Sequence, residues 1–256
     1  MILTVNIGNT YTDIGLAEGK SIVHSAKLPT YHTETSHGYA IKLNQMLDLL
    51  GVPSASVSGA VISSVVPALT AVLCGAIKLL LGFDALVVGA GVKTGLHIAT
   101  DDPGTVASDL VANSVAAKEE YPLPAIVVDM GTATTIMAVD ENGRYIGGAI
   151  LPGAKIALDA LSHEASLLTM VDISAPKKAI SASTAECMRS GIIYGTAGAV
   201  DGVLERFSDE MKTPSRTVIL TGELAPLFMP YIKHKLTHDE HLTLKGLAAI
   251  YERNKK

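Results

Sequence analysis

The 256-residue sequence contains little cysteine and little positive charge, and each shortage excludes a class of protein. Cys74 and Cys187 are the only cysteines, too few for a disulfide framework or a cysteine zinc site, so we expect a reducing compartment. Twenty Lys and Arg residues stand against 25 Asp and Glu residues, a net charge of −5. Because nucleic-acid binding needs a cationic face, we expect no nucleic-acid partner.

Long uninterrupted apolar runs are also lacking. The uncharged stretch 49–77 contains several serines together with Pro53 and Pro67, whereas a membrane span needs about 20 predominantly apolar residues. A buried strand followed by a helix explains this stretch better, so we expect no membrane partner. Residues 1–7 contain no cationic segment before an apolar block, so no signal peptide is predicted. We therefore expect a cytoplasmic protein.

Short apolar runs alternate with helical patterns along the chain. Residues 57–62 and 86–88 are typical of buried strands. Pro67 stands where the first turn of a helix tolerates proline, and residues 106–117 predict another helix. This alternation predicts an α/β fold with helices on the faces of a sheet.

The most informative pattern is an internal repeat. Residues 3–24 follow the order strand, glycine turn, strand, turn, strand, and residues 126–148 repeat that order. The prolines within residues 121–124 mark a connection between the two halves. We therefore predict an N-terminal domain over residues 1–120 and a C-terminal domain over residues 121–256.

A glycine turn at a strand end can bind an anion. Without a Cβ atom, backbone amides approach phosphate closely, and flanking Thr or Asn side chains add donors. The first turn is Gly8-Asn9-Thr10 and the second begins at Gly131-Thr132, so two facing turns would hold a polyphosphate between two domains. Two ordinary hairpin turns are the alternative. The run 89–95 is no P-loop, because Val92 replaces the glycine required before Lys93-Thr94.

Several motifs in the same order give this chain its resemblance to a known family. They are Asn6-Ile7-Gly8-Asn9-Thr10, Ser63-Ser64-Val65-Val66-Pro67, Lys93-Thr94-Gly95-Leu96, Ser108-Asp109, Asp129-Met130-Gly131-Thr132-Ala133-Thr134-Thr135, Gly147-Gly148 with Pro152-Gly153, Ser190-Gly191-Ile192-Ile193-Tyr194-Gly195, Thr221-Gly222 and Leu242-Thr243-Leu244-Lys245-Gly246-Leu247. Over nearly its whole length the sequence resembles the type III pantothenate kinases, the Bvg accessory factor family. The resemblance implies an α/β fold of two ribonuclease-H-like domains of the actin and hexokinase type, with a mixed sheet in each.

The resemblance also implies an activity and its residues. The expected reaction is ATP-dependent phosphorylation of the primary hydroxyl of pantothenate in coenzyme A biosynthesis, with Mg²⁺ and a monovalent cation, K⁺ or NH₄⁺. Asp109 would be the general base and Asp129 the ligand of the monovalent cation. The nucleotide phosphates would be held by Asn6, Ile7, Gly8, Asn9, Thr10, Tyr11, Thr12, Asp13, Gly131 and Thr132. Pantothenate would be faced by Thr100, Ala107, Ser108, Asp109, Leu110 and Thr184.

Five positions depart from the family pattern. Asn6 replaces an aspartate that helps to hold the metal, and Ala107 and Leu110 replace the glycine and arginine of a Gly-x-Asp-Arg motif. Thr100 stands where tyrosine is frequent, and Glu223 replaces a glycine. Mg²⁺ favours carboxylates, and a hydrogen bond to a charged group is worth about 1.5 to 3 kcal/mol. Two hypotheses follow: a kinase with weakened or altered activity, and a catalytically lapsed paralogue with a binding or regulatory role.

Two further patterns bear on function. The three histidines at 234, 238 and 241, with Asp239 and Glu240, have spacings that could hold a metal, but no cysteine lies near and a solvated connection before the final helix explains them better. The helix predicted over residues 185–207 carries glycines at 191, 195, 198 and 202, and each helical glycine costs about 1 kcal/mol against alanine. Close approach of another backbone would explain them. The resemblance implies a homodimer, in which Thr184 reaches a pocket shared with the partner subunit.

Overall fold

Two compact units make up the chain in this computed structural model, which describes residues 1–211 and 215–255. The first unit comprises residues 1–96, 101–119 and 241–255, and the second comprises residues 97–100 and the described part of residues 120–240. Each unit contains one mixed β-sheet with helices packed on it. The predicted α/β class is therefore confirmed.

The first unit is built on a five-stranded sheet. Its strands are β1 (Ile2–Ile7), β2 (Tyr11–Glu18), β3 (Ser21–Pro29), β4 (Gly59–Ser64) and β5 (Leu86–Val87), in the order β3-β2-β1-β4-β5. The first three strands form the predicted antiparallel meander, and β4 and β5 add to it in parallel. Alternate side chains of a strand point to opposite faces, so nearly every residue of β1 is buried between two helical layers.

Helices cover both faces of this sheet. One layer is α1 (Ser36–Leu49) and α2 (Pro67–Leu81), whose Leu43 and Leu73 join Leu3 and Val5 of β1 in one apolar core. Helix α7 (Leu242–Asn254) contacts the opposite face of the meander and β4. Helix α3 (Ser108–Glu120) packs against α7 so closely that a Cβ atom at Gly246 would overlap the Ala112 carbonyl. The last helix of the chain thus completes the first unit.

The second unit is built on a six-stranded sheet. Its strands are β6 (His97–Ile98), β7 (Ala125–Met130), β8 (Ala133–Val139), β9 (Arg144–Pro152), β10 (Thr217–Thr221) and β11 (Thr237–His238), in the order β11-β10-β7-β8-β9-β6. Its helices are α4 (Ala154–Glu164), α5 (Thr184–Met211) and α6 (Ala225–Phe228). Single turns of 3-10 helix occur at Ser54–Ser56 and Pro103–Thr105 in the first unit and at Met229–Tyr231 in the second.

The internal repeat of the sequence is visible in both sheets. Strands β7 to β9 form the same antiparallel meander as β1 to β3, and β10 and β11 add to it as β4 and β5 do. A bulge interrupts the meander at Leu16/Ala17 in the first unit and at the equivalent Ala138/Val139 in the second. The two halves therefore share strand order, strand direction and the position of an irregularity.

Several predicted boundaries differ from the structure. Helix α3 begins at Ser108 rather than at 106, and β4 occupies residues 59–64 rather than 57–62. The sequence carries apolar residues at helical spacing over residues 154–168, which predict a helix of that length. In the structure α4 ends at Glu164, and Leu168 packs against the core of the second unit outside the helix. The prediction assigned all of residues 121–256 to the second domain, whereas α7 packs on the first sheet and β6 pairs with the second.

In residues 1–211 and 215–255 we find no helix with the length and apolar character required to cross a membrane.

Candidate active site

The first glycine turn connects β1 to β2 at an edge of the first sheet. The Gly8 N–H donates to the Tyr11 carbonyl at 2.9 Å and closes the turn, and Asn9 and Thr10 are exposed. Within the range predicted to hold phosphate, Ile7 is fully buried in the core and the Thr12 hydroxyl lies 3.0 Å from the Thr30 hydroxyl. The side chains of Ile7 and Thr12 therefore point away from solvent, and only their backbone remains for a ligand.

Asn6 and Asp13 lie directly opposite one another on β1 and β2, beside the turn. Directly opposite residues of an antiparallel pair project from the same face, with Cβ atoms about 5 Å apart. Both side chains are half-buried, and the Asp13 carboxylate pairs with Lys27 of β3 at 3.2 Å. The turn thus has an amide oxygen and a carboxylate next to it on one face of the sheet.

Asp109 lies in the first turn of α3. Burial raises the pKa of its carboxyl group, although the Leu110 N–H, which donates to Oδ1 at 2.8 Å, opposes the rise. A carboxylate with a raised pKa is a stronger proton acceptor at neutral pH than an exposed one. The position of Asp109 at a helix start is as predicted.

Ser108 attaches the start of α3 to the end of β4. Its hydroxyl lies 2.9 Å from the Ser63 hydroxyl and 3.2 Å from the Ser64 carbonyl, and it accepts the Ser64 N–H at 3.0 Å. In the sheet, Ser63 is paired with Asn6 and Ser64 with Ile7. Because the carboxyl ends of parallel strands meet at one sheet edge, Asp109 is held at the edge that carries the first glycine turn. Ser108 itself, predicted to face pantothenate, directs its hydroxyl to β4.

The second glycine turn connects β7 to β8, and the Gly131 N–H donates to the Ala133 carbonyl at 3.1 Å. Thr132 is exposed. Asp129, near the end of β7, is paired with Thr221 of the parallel strand β10. Gly222 follows with φ +94°, and a Cβ atom there would lie 2.5 Å from Asp129 Oδ1 and 2.6 Å from the Met130 nitrogen. Only glycine fits at 222, because a side chain would collide with the Asp129 carboxylate.

The remaining predicted residues divide between the units. Ala107 and Leu110 flank Asp109 in the first unit and are half-buried. Thr100 and Thr184 belong to the second unit, where Thr184 is exposed as the first residue of α5. The Thr100 hydroxyl is buried without a hydrogen-bond partner among the described residues. Sequence reasoning missed the contacts of Ser63, Thr30 and Gly222 with site residues, although Ser63 and Gly222 lie inside the quoted motifs.

The three histidines with metal-ligand spacing do not form a cluster in the part of the chain that the structure describes. His234 Nδ1 lies 2.7 Å from Asp201 of α5, in the second unit. Burial opposes ionisation of Asp201, but hydrogen bonds from the His234 ring and from the Lys233 and His234 N–H groups outweigh it and lower the Asp201 pKa. Nowhere in the described chain do three His, Cys, Asp or Glu side chains gather in a manner that could hold a metal ion.

The duplicated sheet order places this chain in a class of folds built from two related α/β units. Solved structures of this fold include component A of the (R)-2-hydroxyglutaryl-CoA dehydratase from Acidaminococcus fermentans, with a TM-score of 0.61, 13% identity, and coverage of 100% of this chain and 99% of that one. The ROK hexokinase from Thermus thermophilus aligns with a TM-score of 0.51, 14% identity and 99% of both chains. The predicted actin and hexokinase type of fold is confirmed.

Closer relatives identify the family within that class. A profile described as type III pantothenate kinase matches residues 2–206. The type III pantothenate kinase of Halalkalibacterium halodurans is 40% identical over 254 residues, which cover 99% of this chain and 100% of that protein. The one from Geobacter sulfurreducens is 41% identical over 256 residues and the full length of both. This chain belongs to the type III pantothenate kinase family.

Proposed function

We propose that this chain transfers the γ-phosphoryl group of ATP to the primary hydroxyl of pantothenate, in the first committed step toward coenzyme A. The single observation that carries the proposal is the full-length similarity to type III pantothenate kinases, in a chain whose Asp109 is half-buried at the sheet edge of the first glycine turn. Phosphoryl transfer mainly requires positioning, neutralisation of charge and a carboxylate that accepts the proton of the nucleophile. These requirements match the residues of the site.

Asp109 acts as the general base in this proposal. Its carboxylate takes the proton of the pantothenate hydroxyl while the hydroxyl oxygen forms a bond to the γ-phosphorus of ATP. The bond from that phosphorus to the bridging oxygen breaks, and its electron pair leaves with ADP. The raised pKa of the half-buried Asp109 carboxyl group favours the proton transfer. Phosphopantothenate and ADP are the products.

The glycine turns hold the phosphates. In the first unit, the backbone of residues 6–13 presents the Gly8-Asn9-Thr10 turn, and in the second unit Gly131 and Thr132 present another. Exposure of Asn9, Thr10 and Thr132 supports this role, because a ligand reaches them without displacing core side chains. Tyr11 stands beside the first turn, where Lys27 lies 5.5 Å above its ring.

The donor atoms beside each turn suit the implied cations. Mg²⁺ is usually bound by one or two carboxylates together with phosphates and water, and Asn6 with Asp13 offers an amide oxygen and a carboxylate on one face. Asp129 offers a hard carboxylate oxygen for K⁺ or NH₄⁺ in the second unit. Mg²⁺, when bound, neutralises phosphate charge that develops during transfer.

The acceptor is contacted in this proposal by Ala107, Leu110, Thr100 and Thr184. Leu110 offers no donor for a carboxylate, so its contact with the acceptor is apolar. The exposed start of α5 at Thr184 is consistent with a homodimer in which the partner subunit covers this helix. The exposed α5 positions Gly191, Gly195 and Gly198 support that dimer, because a Cβ atom at any of them would meet no described atom within 4 Å beyond the neighbouring backbone of its own helix. We place the reaction in the cytoplasm.

Direct assay of the purified chain tests the proposal. With ATP, Mg²⁺, K⁺ and pantothenate, we expect formation of phosphopantothenate, measured by mass spectrometry, and of ADP in equal amount. Asp109→Asn should lower kcat by about 10²- to 10⁴-fold, the usual contribution of a general base. Asp101→Asn, a change at an exposed aspartate on the loop before α3, is the matched control and should leave kcat unchanged.

The pH profile supplies a second readout. Since the base must be ionised and its pKa is raised, the wild-type rate should fall at acidic pH with an apparent pKa above the ordinary value of 3.8. That limb should disappear in Asp109→Asn. Absence of product from the wild-type chain, with product from an Asn6→Asp, Leu110→Arg variant, would overturn the proposal in favour of a lapsed paralogue.

A further inference from the structure

The segment that follows β3 covers one side of the first glycine turn. The Thr30 N–H donates to the Thr10 carbonyl at 2.9 Å, and the Thr30 hydroxyl donates to the Gly8 carbonyl at 2.8 Å. The His32 ring nitrogen Nε2 lies 3.2 Å from the Asn9 carbonyl and, since a carbonyl only accepts, carries the proton. Three consecutive carbonyl groups of the turn are thus bound by two residues.

The Thr30 hydroxyl is itself held in place. Thr12 is fully buried, and its hydroxyl lies 3.0 Å from that of Thr30. Because the single hydroxyl proton of Thr30 is directed to the Gly8 carbonyl, Thr12 is the donor of this pair. The hydrogen bonds run from Thr12 to Thr30 to the turn, which leaves the Thr30 rotamer little freedom.

Fixing these carbonyl groups also fixes the amide groups of the turn. A trans peptide unit is planar, and its N–H points opposite to its C=O. The Gly8 and Asn9 carbonyls belong to the same peptide units as the Asn9 and Thr10 N–H groups. These two N–H groups therefore point away from Thr30 and His32, which is the orientation needed to meet a phosphate on the outer side.

A residue at the equivalent position also lies close to the carbonyl groups of the second glycine turn. Thr30 follows Pro29 at the end of β3, and Gly153 follows Pro152 at the end of β9, which occupies the same place in the repeat. A Cβ atom at Gly153 would overlap the Thr132 carbonyl oxygen and lie 2.8 Å from the Gly131 carbonyl oxygen. In both halves, the residue after the third strand closes on the carbonyl side of the turn.

We propose that Thr30 and His32 are positioning residues for nucleotide binding, which hold the carbonyl groups of the Gly8-Asn9-Thr10 turn so that its amide groups face the phosphates of ATP. This inference rests on the proposed function, because it assigns the turn to the nucleotide. Neither side chain touches the reacting atoms. Their effect is on the affinity of the turn for phosphate.

Thr30→Val tests the inference by removing the hydroxyl at nearly constant shape. We expect the Kd of Mg-ATP, measured by isothermal titration calorimetry, and the KM for ATP to rise about tenfold, the scale of a lost buried hydrogen bond. The KM for pantothenate should be unchanged and kcat should change by less than about twofold, a split that general loss of folding would not produce. Thr30→Ser, which restores the hydroxyl, should recover the wild-type values.

His32 offers a second test at an exposed position. His32→Ala should raise the Kd of Mg-ATP about threefold, whereas His32→Gln, which keeps an N–H donor at a similar reach, should raise it less. Thr33→Val, the same substitution as at Thr30 but on an exposed neighbour, is the matched control and should have no effect. Thermal unfolding without ligand identifies any variant that has merely lost its fold.

The outcomes separate this inference from the proposed function. If the wild-type chain binds Mg-ATP and the Kd values of folded Thr30→Val and His32→Ala equal the wild-type value, the positioning role is overturned and the kinase activity is unaffected. If the wild-type chain binds Mg-ATP without phosphorylating pantothenate, the proposed function fails while the Kd values still decide the role of Thr30. A wild-type chain that binds no nucleotide overturns both.

Discussion

Ser108→Ala perturbs the junction that places Asp109 at the sheet edge. The hydroxyl makes three hydrogen bonds, to the Ser63 hydroxyl, the Ser64 N–H and the Ser64 carbonyl, at 2.9 to 3.2 Å. A hydrogen bond contributes about 1 kcal/mol net, and a buried donor left without a partner costs about 1 to 3 kcal/mol. Since Ser63 is fully buried while Ser64 and Ser108 are half-buried, we expect the free energy of unfolding to fall by about 1 to 2 kcal/mol.

The catalytic effect should exceed what this loss of stability explains. A release of the α3 start displaces the Asp109 carboxylate from its line to the acceptor hydroxyl, and small misplacements of a catalytic group cost about 10- to 100-fold. We therefore expect kcat to fall about tenfold, with the KM for ATP and the KM for pantothenate changing less than about twofold. A rise in the pantothenate KM alone would instead indicate direct contact of Ser108 with the substrate.

Steady-state kinetics and urea unfolding of the single and double variants at 63 and 108 form the assay. A double-mutant cycle should give a coupling energy of about 1 kcal/mol for the Ser63 and Ser108 hydroxyls. Ser114→Ala is the matched control on the same helix, because its buried hydroxyl has no hydrogen-bond partner in the described chain and its loss should be neutral or stabilising. An unchanged kcat in Ser108→Ala with the expected loss of stability would refute the positioning argument.

Three further predictions address the metal, the pH dependence of stability and the dimer. Asn6→Asp places a second carboxylate opposite Asp13, so the Mg²⁺ concentration for half-maximal rate should fall about fivefold, or about 1 kcal/mol. Asp13→Asn should raise that Mg²⁺ concentration. An unchanged value in both variants would contradict the proposed Mg²⁺ site. Asp201→Asn should lower the free energy of unfolding at pH 7 by about 1 to 2 kcal/mol. Because the folded-state pKa of Asp201 is lowered, the difference from wild type should shrink as the pH falls through that pKa. A pH-independent difference in urea titrations would count against this prediction. The leucine side chain of Gly195→Leu would enter open space within one chain, so it should block dimer formation and halve the mass measured by light scattering. It should also raise the stability of the monomer by about 1 kcal/mol through helix propensity. An unchanged mass would argue against α5 as the dimer interface.

The repeated meander could be predicted because its signals are local. Strand and turn residues recur in both halves, and the turns fall at glycines that lie between β-branched runs. The end of α4 was mispredicted for a physical reason. Leu168 packs against the core of the second unit although it lies outside the helix. Its apolar character therefore indicated that the residue is buried, not that it is helical.

For the proposed site, the sequence could predict only those residues whose type and motif alone suggest a role. Asp109 stands in a motif at a helix start, and both the motif and the helix are readable from sequence. The bonds from Ser108 to Ser63 and from Thr30 to Gly8 join residues 45 and 22 positions apart. Such contacts depend on strand register and tertiary packing, which no local pattern records. Sequence similarity therefore points to Asp109 as the proposed base, and the structure added the contacts made by its neighbours.

Completion of the first unit by α7 constrains how the chain is made. Residues 2–64 supply four of its strands, yet the helix that covers their second face is encoded in residues 242–254. Chains emerge from the ribosome with the N-terminus first, so β1 to β4 leave it long before their cover exists. During synthesis the second unit can fold while one apolar face of the first sheet stays exposed until α7 has been synthesised. Premature termination near residue 240 would thus release a polypeptide whose earliest-made part is the unfinished one.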